Sequence, residues 1–515
     1  MAVLSNAVPQ NAVASVLGYS LGVKDYSEVS SNLPQRIALF TTVGADKVSG
    51  FSGYDTPYTV NSVKQYLDKF GVSPGYYALR ILKPLNGGGV GPVPIDVFAI
   101  EDDVAAAASA GDITPSGTAT GNATHYVTFN GRKTIDGRQA AFSVETGDVV
   151  ADIVTKMTAA IDGMLYAPVD ATDSTTTVDV EVRWKGVSGD EITIAIDTGD
   201  EAAGITYAIT QPTAGSGALS YADSLANFGE VWYTQVLNTF GSSYFTELAD
   251  FNGVPDPDTG GSGRWQSLNV KPFVAFTGTN EATISTLKAL ASARKTDLTN
   301  CVIPAPNSPS MSWEIAAGCM VRTAVILNST PHRDFINKSL YDVVAPTGGT
   351  AGDMNDYLNR DDLVKNGIST VVYNESEGYL IKDLITMRRP DDQSPTAIDF
   401  KYVKYIAGLD FNVKYQYRLL EVRELEGKTL ANDGDTVSVT DVIKPKDWKG
   451  LLYTMFESLS KLAIIADPGF SQESLQCQIS ATNPNRFETT FNYKRTGIAR
   501  ISASDVFAGF NFGEL

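Results

Sequence analysis

The sequence predicts a multidomain protein of mixed α/β (α+β) class, in which a core domain of helix-layered sheet carries an inserted β-rich domain and extended amino- and carboxyl-terminal arms. Three observations predict this class. The chain has 515 residues, more than a single hydrophobic core usually holds. Apolar strand-like runs alternate with amphipathic helical runs outside residues 101–220. Inside 101–220 the composition changes, with 18 acidic and 6 basic side chains and a net charge of −12.

Residues 1–33 are predicted to form an extended amino-terminal arm. The stretch AVPQNAVASVLGYSLGVKDYSEVSSNLPQR contains turn residues and short apolar doublets, and it has no helical run long enough to be stable alone. A disordered tail is the alternative interpretation. The apolar residues favour an arm that docks on another surface.

The core domain is predicted to be discontinuous, built from residues 34–100 and 221–485 as one or two α/β subdomains. The runs PQRIALFTTVG and VKPFVAFTGT are apolar and end in turn residues, so they predict buried strands. Helices are predicted for FGEVWYTQVLNTF, NEATISTLKALASARK, SWEIAAGCMVRTAVIL and DWKGLLYTMFESLSKL. The glycine cluster LNGGGVGP lacks the Gly-Lys-Ser/Thr of a phosphate-binding loop and predicts a connector.

Residues 101–220 are predicted to form the inserted acidic, β-rich domain. The runs THYVTFNG, TVDVEVRW and ITIAID have strand character. The run DVVADIVTKMTAAI predicts an amphipathic helix with Asp148 as its N-cap. Insertions of this kind usually sit on exposed loops of the host domain.

Residues 486–515 are predicted to form a carboxyl-terminal strand or arm. In RFETTFNYKRTGIARISASDVFAGF, apolar and polar residues alternate with period two, which is typical of a strand with one buried face. A chain end frays unless something holds it, so this strand needs a surface to pair with. The apolar positions of the arm include Phe487, Phe491, Tyr493, Ile501, Phe507 and Phe510.

The composition argues against several functions. A formal net charge of −19 and a pI near 4.6 argue against a broad nucleic-acid-binding surface and against binding to an anionic membrane. The first residues lack the basic and apolar regions of a secretory signal. The most apolar helical run contains Glu314 and Arg322 and is too short to span a bilayer. We therefore expect a soluble protein, made in a cytosol, without direct contact to nucleic acid or membrane.

No motif predicts a catalytic, cofactor-binding or metal site. The two histidines, His125 and His332, have no second ligand at metal-binding spacing, and no GxSxG motif occurs. The three cysteines, Cys301, Cys319 and Cys477, are too few and too widely spaced for a disulfide framework or a zinc site, and predict buried thiols. Adjacent acidic pairs lie in polar, loop-like surroundings. We expect a structural protein without enzymatic activity or cofactor.

The order of segments resembles that of contractile phage tail sheath proteins, particularly the sheath of Mu-like phages, over nearly the whole chain. NLPQRIALF resembles the entry into the family's first strand, and VTFNGRKTIDGRQAAFSVETGDVVADIVTKMTAAID with VEVRWKGVSGDEITIAI resembles its inserted domain. In the carboxyl half, KNGISTVVYNESEGYLIKDLITM resembles a strand pair with a glycine turn. LANDG, IKP, an amphipathic helix and NPNRFE then follow in the family's order.

The resemblance implies a subunit that polymerises with itself as stacked hexameric rings around a tail tube. Its terminal arms would add strands to sheets of neighbouring subunits, with the six apolar arm residues as inter-subunit positions. Contraction would drive the tube through the host envelope for genome ejection, without nucleotide consumption. The implied partners are further copies of the chain and the tail tube, baseplate and tail terminator proteins. The implied location is the virion tail, and the host cytoplasm during assembly.

The resemblance also places the helix DWKGLLYTMFESLSKL on the inner wall of the sheath, against the tube. Its apolar face leaves Lys446, Lys449 and Lys461 as candidates for contacts with acidic groups of the tube. Lysines that are merely solvated are the alternative, since single surface ion pairs are weak.

Other functions stay open at this point. The sheath of a phage-derived injection particle has the same sequence features. The Thr/Gly/Asp-rich insertion suggests a phage adhesin or a carbohydrate-binding structural protein, which would trimerise, and an enzyme would need a cleft with paired acids. If the insertion is an outer decoration of a sheath, deletion of residues 101–220 leaves polymerisation intact.

Overall fold

The computed structural model describes residues 32–199, 201–256, 258–267, 270–389 and 401–506. Apart from Asn32 and Leu33, the predicted arm of residues 1–33 lies outside the described residues. Before the insertion the chain forms β1 (Ile37–Thr41), β2 (Tyr58–Val60), α1 (Val63–Phe70), α2 (Pro74–Leu82) and β3 (Ile95–Ala99). The strand predicted in PQRIALFTTVG is thereby confirmed as β1.

Residues 101–220 build two sheets of their own. The elements are β4 (Ala108–Ser116), β5 (Ala123–Phe129), β6 (Ala140–Val144), α3 (Val150–Asp162), β7 (Val169–Asp173), β8 (Val178–Lys185), a 3₁₀ turn at Val187–Glu191, β9 (Ile194–Asp197) and β10 (Thr206–Thr213). One sheet has the antiparallel order β10-β4-β8-β7 and the other has the order β6-β5-β9. The helix α3 packs on strands of both sheets. The three predicted strands are confirmed as β5, β8 and β9.

After the insertion the chain returns to the sheet that it left at β3. The elements are α4 (Ala222–Ala226), β11 (Gln235–Leu237), a 3₁₀ turn at Gly241–Tyr244, α5 (Phe245–Asn252), a 3₁₀ turn at Gly263–Trp265, β12 (Val274–Thr279), α6 (Ile284–Ala291), β13 (Asn300–Pro304) and α7 (Ser312–Ser329). The sheet has the order β13-β12-β11-β1-β3-β2, and β2 alone in it is antiparallel to its neighbour. The predicted mixed α/β class is confirmed.

Both faces of this six-stranded sheet are buried. Along β1, Ile37 and Leu39 point into the large core that includes α2 and α7, whereas Ala38 and Phe40 point into a second, aromatic cluster. This alternation follows from the period-two geometry of a strand, and it explains why β1 is apolar throughout. On β12, a Cβ at Gly278 would lie 2.0 Å from the backbone oxygen of Ser312, so glycine lets α7 approach the strand.

The remaining elements form a hairpin and a carboxyl-terminal region with its own core. They are a 3₁₀ turn at Gly352–Asn355, α8 (Tyr357–Lys365), β14 (Thr370–Asn374), β15 (Gly378–Asp383), a π-helical turn (Lys404–Asp410), α9 (Phe411–Glu424), β16 (Thr429–Leu430), β17 (Val442–Ile443), α10 (Pro445–Lys461), β18 (Ile465–Ala466), α11 (Pro468–Ser474), β19 (Gln476–Ile479), β20 (Phe487–Thr490) and β21 (Lys494–Arg495). The predicted strand pair with a glycine turn corresponds to the antiparallel β14–β15 hairpin.

Two local predictions are wrong. The run FGEVWYTQVLNTF is not a helix; it contains the short strand β11, because its β-branched and aromatic residues fill a sheet position between β1 and β12. Asp148 does not cap α3. Its carboxylate accepts the Glu145 N–H at 2.8 Å and pairs with Lys156 at 2.7 Å, while Asp152 accepts the N–H of Val149 at 3.1 Å.

Candidate functional site in the carboxyl-terminal region

The helix α10 is amphipathic, as the sequence predicts. Pro445 occupies its first turn, where the missing N–H has no intrahelical partner in any case. Five side chains of one face are buried in the core of this region: Trp448, Leu452, Met455, Phe456 and Leu459. The Trp448 Nε1 donates a hydrogen bond to Thr489 Oγ1 at 3.0 Å, which ties the helix to β20.

The three predicted tube-facing lysines occupy different parts of α10. With about 100° of rotation per residue, Lys446 and Lys461 lie about 60° from each other on the side of α10 that faces away from the buried stripe. Lys449 lies only about 75° from the centre of the stripe. Accordingly Lys446 and Lys461 are exposed, whereas Lys449 is half-buried. Lys446 and Lys461 are separated by about 22 Å along the axis, because each residue rises about 1.5 Å. The outer face of the helix therefore presents two well-separated cations rather than one basic patch.

The predicted arm begins with residues that pack on the chain's own core. β20 pairs with β19 in antiparallel register, with Phe487 opposite Ile479. The ring of Phe491 lies 5.1 Å from that of Phe456 and 5.7 Å from that of Tyr417. Phe487, Phe491 and Tyr493 all pack against this core. In the single chain these three side chains thus pack on their own subunit, and contact with a neighbouring subunit stays a prediction for them.

The later arm residues are placed differently. Ile501 is 90% exposed. Phe507 and Phe510 lie outside the described residues. The single long strand predicted from the alternating pattern is also divided, since β20 and β21 are short and residues 496–506 have no regular secondary structure. Ile501 is therefore the one candidate inter-subunit position of the six that the described chain leaves free of packing.

Charged groups fasten the arm to the body, and the sequence alone did not single them out. The Asp410 carboxylate accepts the Tyr493 hydroxyl at 2.8 Å and two N–H groups of Arg495 at 2.8 and 2.7 Å. Arg500 pairs with two further acids, Asp334 and Asp383. Arg500 occupies a polar position of the alternating pattern, which equally fits solvent exposure. Arg495 has the parity of the apolar residues Phe491 and Tyr493, and this is the only signal in the sequence that it packs inward.

Two lysines of this region have strongly lowered pKa values. Burial lowers the pKa of Lys404 to about 7, and the pKa of Lys414 to about 8. Lys404 opens the π-helical turn, and its Nζ donates to the backbone oxygen of Pro331. Lys414 lies over the ring of Trp232, 4.5 Å from its centroid. Both amines are partnered inside the fold, so their position is structural.

Elsewhere the buried cysteines and His125 are engaged in contacts within the fold. Burial raises the pKa of Cys301 to about 12 and raises that of Cys319 well above its usual value, which keeps both thiols protonated. The His125 ring contacts the Tyr207 hydroxyl at 2.6 Å and the Glu201 backbone oxygen at 3.0 Å. Across the described residues, no group of three or more His, Cys, Asp or Glu side chains is arranged to hold a metal ion. None of the described helices combines the length and apolar content required for a bilayer crossing.

A cleft of about 660 Å³ lies between the insertion and the core. Its lining includes Arg80, Asp136 and Asp342. Arg80 lies within 4 Å of both of these carboxylates, and Arg132 pairs with Asp342 at 3.2 Å. The arginines and acids are thus paired with each other across the junction, which favours a role in fastening the insertion to the core.

A comparison with curated proteins finds one similar over most of the chain. It is 23% identical over 413 residues to the tail sheath protein of the Mu-like prophage FluMu of Haemophilus influenzae, covering 79% of this chain and 80% of the relative. No protein-family model matches the sequence. The predicted resemblance to the sheath proteins of Mu-like phages is confirmed by this relative.

Solved structures of sheath proteins are also similar. The sheath tail protein of Desulfitobacterium hafniense has a TM-score of 0.43 and 12% identity, covering 93% of this chain and 100% of that one. The sheath of an extracellular contractile injection system in the contracted state has a TM-score of 0.45 and 11% identity, covering 97% and 99%.

Proposed function

We propose that this chain is a structural subunit of a contractile phage tail sheath. It polymerises as stacked hexameric rings around the tail tube and contracts to drive the tube through the host envelope, so that the genome is delivered. The observation that carries the proposal is the similarity to a tail sheath protein over four-fifths of both chains. The packing supports a mechanical role, because the ionisable groups described above serve contacts within the fold.

The subunits are linked by their terminal arms. An extended segment adds a strand to a sheet of a neighbouring subunit, where main-chain hydrogen bonds supply the affinity. The subunit moves largely as a rigid body between the extended and the contracted packing, and the arms keep neighbours connected. The free-energy difference between the two packings does the work, so no nucleotide is consumed and no cofactor is required.

The partners follow from this role. Other copies of the chain form the rings, the outer face of α10 faces the tail tube, and the ends of the sheath contact the baseplate and tail terminator proteins. The subunit assembles in the host cytoplasm and then resides in the virion tail. Direct contact with nucleic acid or membrane is not part of the role, in keeping with the net charge of −19.

Negative-stain electron microscopy of the purified full-length chain tests the proposal. Striated hollow cylinders of uniform diameter are the expected result at high protein concentration, since sheath subunits polymerise in solution once the concentration favours their repeated interface. Dispersed monomers or trimers at every concentration and salt condition would overturn the proposal, and trimers would point to an adhesin. In a second experiment the cognate tail tube is added, and the sheath should then form around the tube.

A further inference from the structure

The carboxyl-terminal segment changes from packed to exposed at one residue. Tyr493 and Arg495 are packed, and the side chain of Arg500 is 12% exposed. From Ile501 to Val506 every described residue is exposed, with Ile501 at 90% and Val506 at 87%. The boundary between the held and the free part of the arm therefore lies at Arg500.

Arg500 is held by three groups from separate parts of the body. Its Nη2 lies 2.8 Å from Oδ2 of Asp334, in the loop after α7, and its Nη1 donates to Oδ1 of Asp383, the last residue of β15, at 3.0 Å. The guanidinium also lies 3.9 Å from the ring centroid of Tyr402. A planar guanidinium suits this arrangement, because it can bind two carboxylates at its edges while its face contacts an aromatic ring.

A second fastening lies five residues upstream. Arg495 forms a two-pronged hydrogen bond with Asp410, and the backbone of β21 pairs with β18, with Arg495 opposite Ile465. Residues 493–500 are thus attached at both of their ends. A pull on the chain beyond residue 500 is transmitted first to Asp334 and Asp383 and only then to the short pairing of β21.

Beyond Arg500 the described chain is exposed and has no backbone partner. Among the described residues, the backbone of 497–506 forms no hydrogen bond with the backbone of another segment. Ile501 and Val506 present apolar side chains to solvent there. An unpaired segment with exposed apolar side chains can add, as a strand, to the free edge of a sheet.

The same chain also carries free sheet edges. The pairs β18–β21 and β19–β20 are two-stranded, so each of these strands has one edge without a sheet neighbour in the described chain. A molecule with both a free strand and a free edge can join copies head to tail, and head-to-tail contacts generate rings or helical assemblies. This favours another copy of the chain as the partner over an unrelated protein.

We propose that Arg500 anchors the arm to its own subunit and that the described segment after it, residues 501–506, pairs with a second copy of this chain. Residues 486–500 stay on the subunit that carries them. The inference rests on the proposed function, which supplies the neighbouring copies, and it moves the start of the donated strand from residue 486 to residue 501.

Trypsin tests the anchor in the dispersed full-length chain. Trypsin must take the arginine side chain into its own pocket, so a held Arg500 is cut slowly. In Asp334→Asn/Asp383→Asn, cleavage after Arg500, followed by intact mass, should be at least tenfold faster than in the wild type. Cleavage after Arg486, whose side chain is 66% exposed, serves as the internal reference and should not change. Equal rates at Arg500 in both proteins would overturn the anchor.

Truncation tests the donated segment. A chain that ends at Arg500 should keep the melting temperature of the wild type within about 1 °C, because the removed described residues are exposed, and it should form no cylinders. Cylinders from this chain would overturn the donated segment while leaving the sheath proposal intact. If the full-length chain forms no cylinders, the proposed function is overturned, and so is the proposal that a second copy of the chain is the partner. The rates of trypsin cleavage after Arg500 test the anchor whether or not cylinders form.

Discussion

At the scale of single residues, the buried amine of Lys404 is the most unusual group in the carboxyl-terminal region. The residue is 1% exposed and opens the π-helical turn that leads into α9. The charged groups around it are Asp334, which favours the protonated amine, and Arg500, which opposes it. The neighbouring His332 has its pKa lowered by burial and by the charges of Lys404 and Arg333. The amine therefore sits beside the Arg500 contacts that hold the arm.

The stability contribution of Lys404 should depend on pH. Burial lowers its pKa to about 7, whereas an unfolded lysine titrates near 10.4. Between these values the unfolded chain binds more protons, so the free energy of unfolding rises with pH, by at most about 1.4 kcal/mol per pH unit from this residue. Below pH 7 its unfavourable contribution is complete.

The measurement compares the wild type with Lys404→Met. The melting temperature of the wild type minus that of the variant should increase from pH 7 to pH 9. The lost hydrogen bond to Pro331 shifts the difference equally at both pH values. Lys494→Met, at a lysine that is 51% exposed, is the control and should show a constant difference. A constant difference for Lys404→Met as well would contradict the buried, deprotonated amine.

At the scale of elements, the packed segment that follows β20 and the free end of the arm should differ in their response to loss of an apolar side chain. Phe491→Ala should lower the free energy of unfolding by about 2 kcal/mol, below the range for a fully buried phenylalanine because the ring is only partly buried. Ile501→Ala should leave the melting temperature unchanged and should reduce cylinder formation. Thermal unfolding and negative-stain images of both variants check this. An equal loss of stability in both would contradict the boundary at Arg500.

How far the sequence predicts this region depends on which physical signal each part carries. The helix α10 is predictable because its buried face repeats at helical spacing over 17 residues. The division of the arm is not, because period-two alternation is the same for a strand paired within the chain and for one that awaits a partner. Arg500 is decisive only through Asp334 and Asp383, which lie 166 and 117 residues away in sequence. Nothing local in the sequence reports such contacts.

The same limit explains the error at β11. The run 228–240 mixes aromatic and β-branched residues with polar ones and has no clear period of two, so the sequence pattern alone does not separate a helix from a short buried strand. The run becomes a strand because it pairs with β1 and β12, and this pairing joins residues that are far apart in the sequence. The N-cap of α3 was mispredicted for a more local reason. Asp148 and Asp152 both lie within one turn of the helix start, and the sequence does not show which of them accepts the free N–H groups.

The two exposed lysines of α10 should contribute to binding of the tail tube and should not affect polymerisation of the sheath subunits. Lys446→Glu/Lys461→Glu should weaken co-sedimentation of the sheath with tail tubes by about tenfold at low salt, since two charges are reversed and each surface pair contributes up to about 1 kcal/mol. Cylinders formed without tube should be unchanged. The control is Lys64→Glu/Lys365→Glu, at lysines with 81% and 70% exposure outside this region. Equal weakening by both pairs would contradict a tube-facing α10.

At the scale of the whole molecule, the insertion and the core share one hydrophobic interior. The ring of Trp184, from β8, lies 6.1 Å from that of Trp313, from α7. Glu191 accepts the backbone N–H and the hydroxyl of Ser312 at 2.7 and 2.8 Å, so the insertion caps the first turn of α7. A domain joined to the body only through its two linkers would have neither a shared core nor a cap on a helix of the body.

This packing predicts that the core depends on the insertion. A chain in which residues 101–220 are replaced by a flexible glycine-serine linker should expose Trp313 and lose the cap of α7. We expect it to be insoluble, or to melt at least about 10 °C below the full-length chain, and to form no cylinders. Circular dichroism and negative-stain images check this. If the chain without the insertion were stable and formed cylinders, the core would not depend on the insertion, and an outer decoration would be the better interpretation of it.

A single carboxylate tests the same junction without removing the domain. Glu314, in the first turn of α7, is fully buried, with Arg132 Nε from the insertion at 3.2 Å and Arg80 Nη1 from α2 at 3.9 Å. Glu314→Gln keeps the shape of the side chain but leaves the two guanidiniums short of one negative charge in a buried place. Breaking such a group costs about 3 kcal/mol, whereas Glu181→Gln on the exposed face of β8 should cost less than about 0.5 kcal/mol. If thermal unfolding gave the two substitutions the same small effect, charge pairing would not hold the insertion to the core, and the shared aromatic interior alone would have to do so.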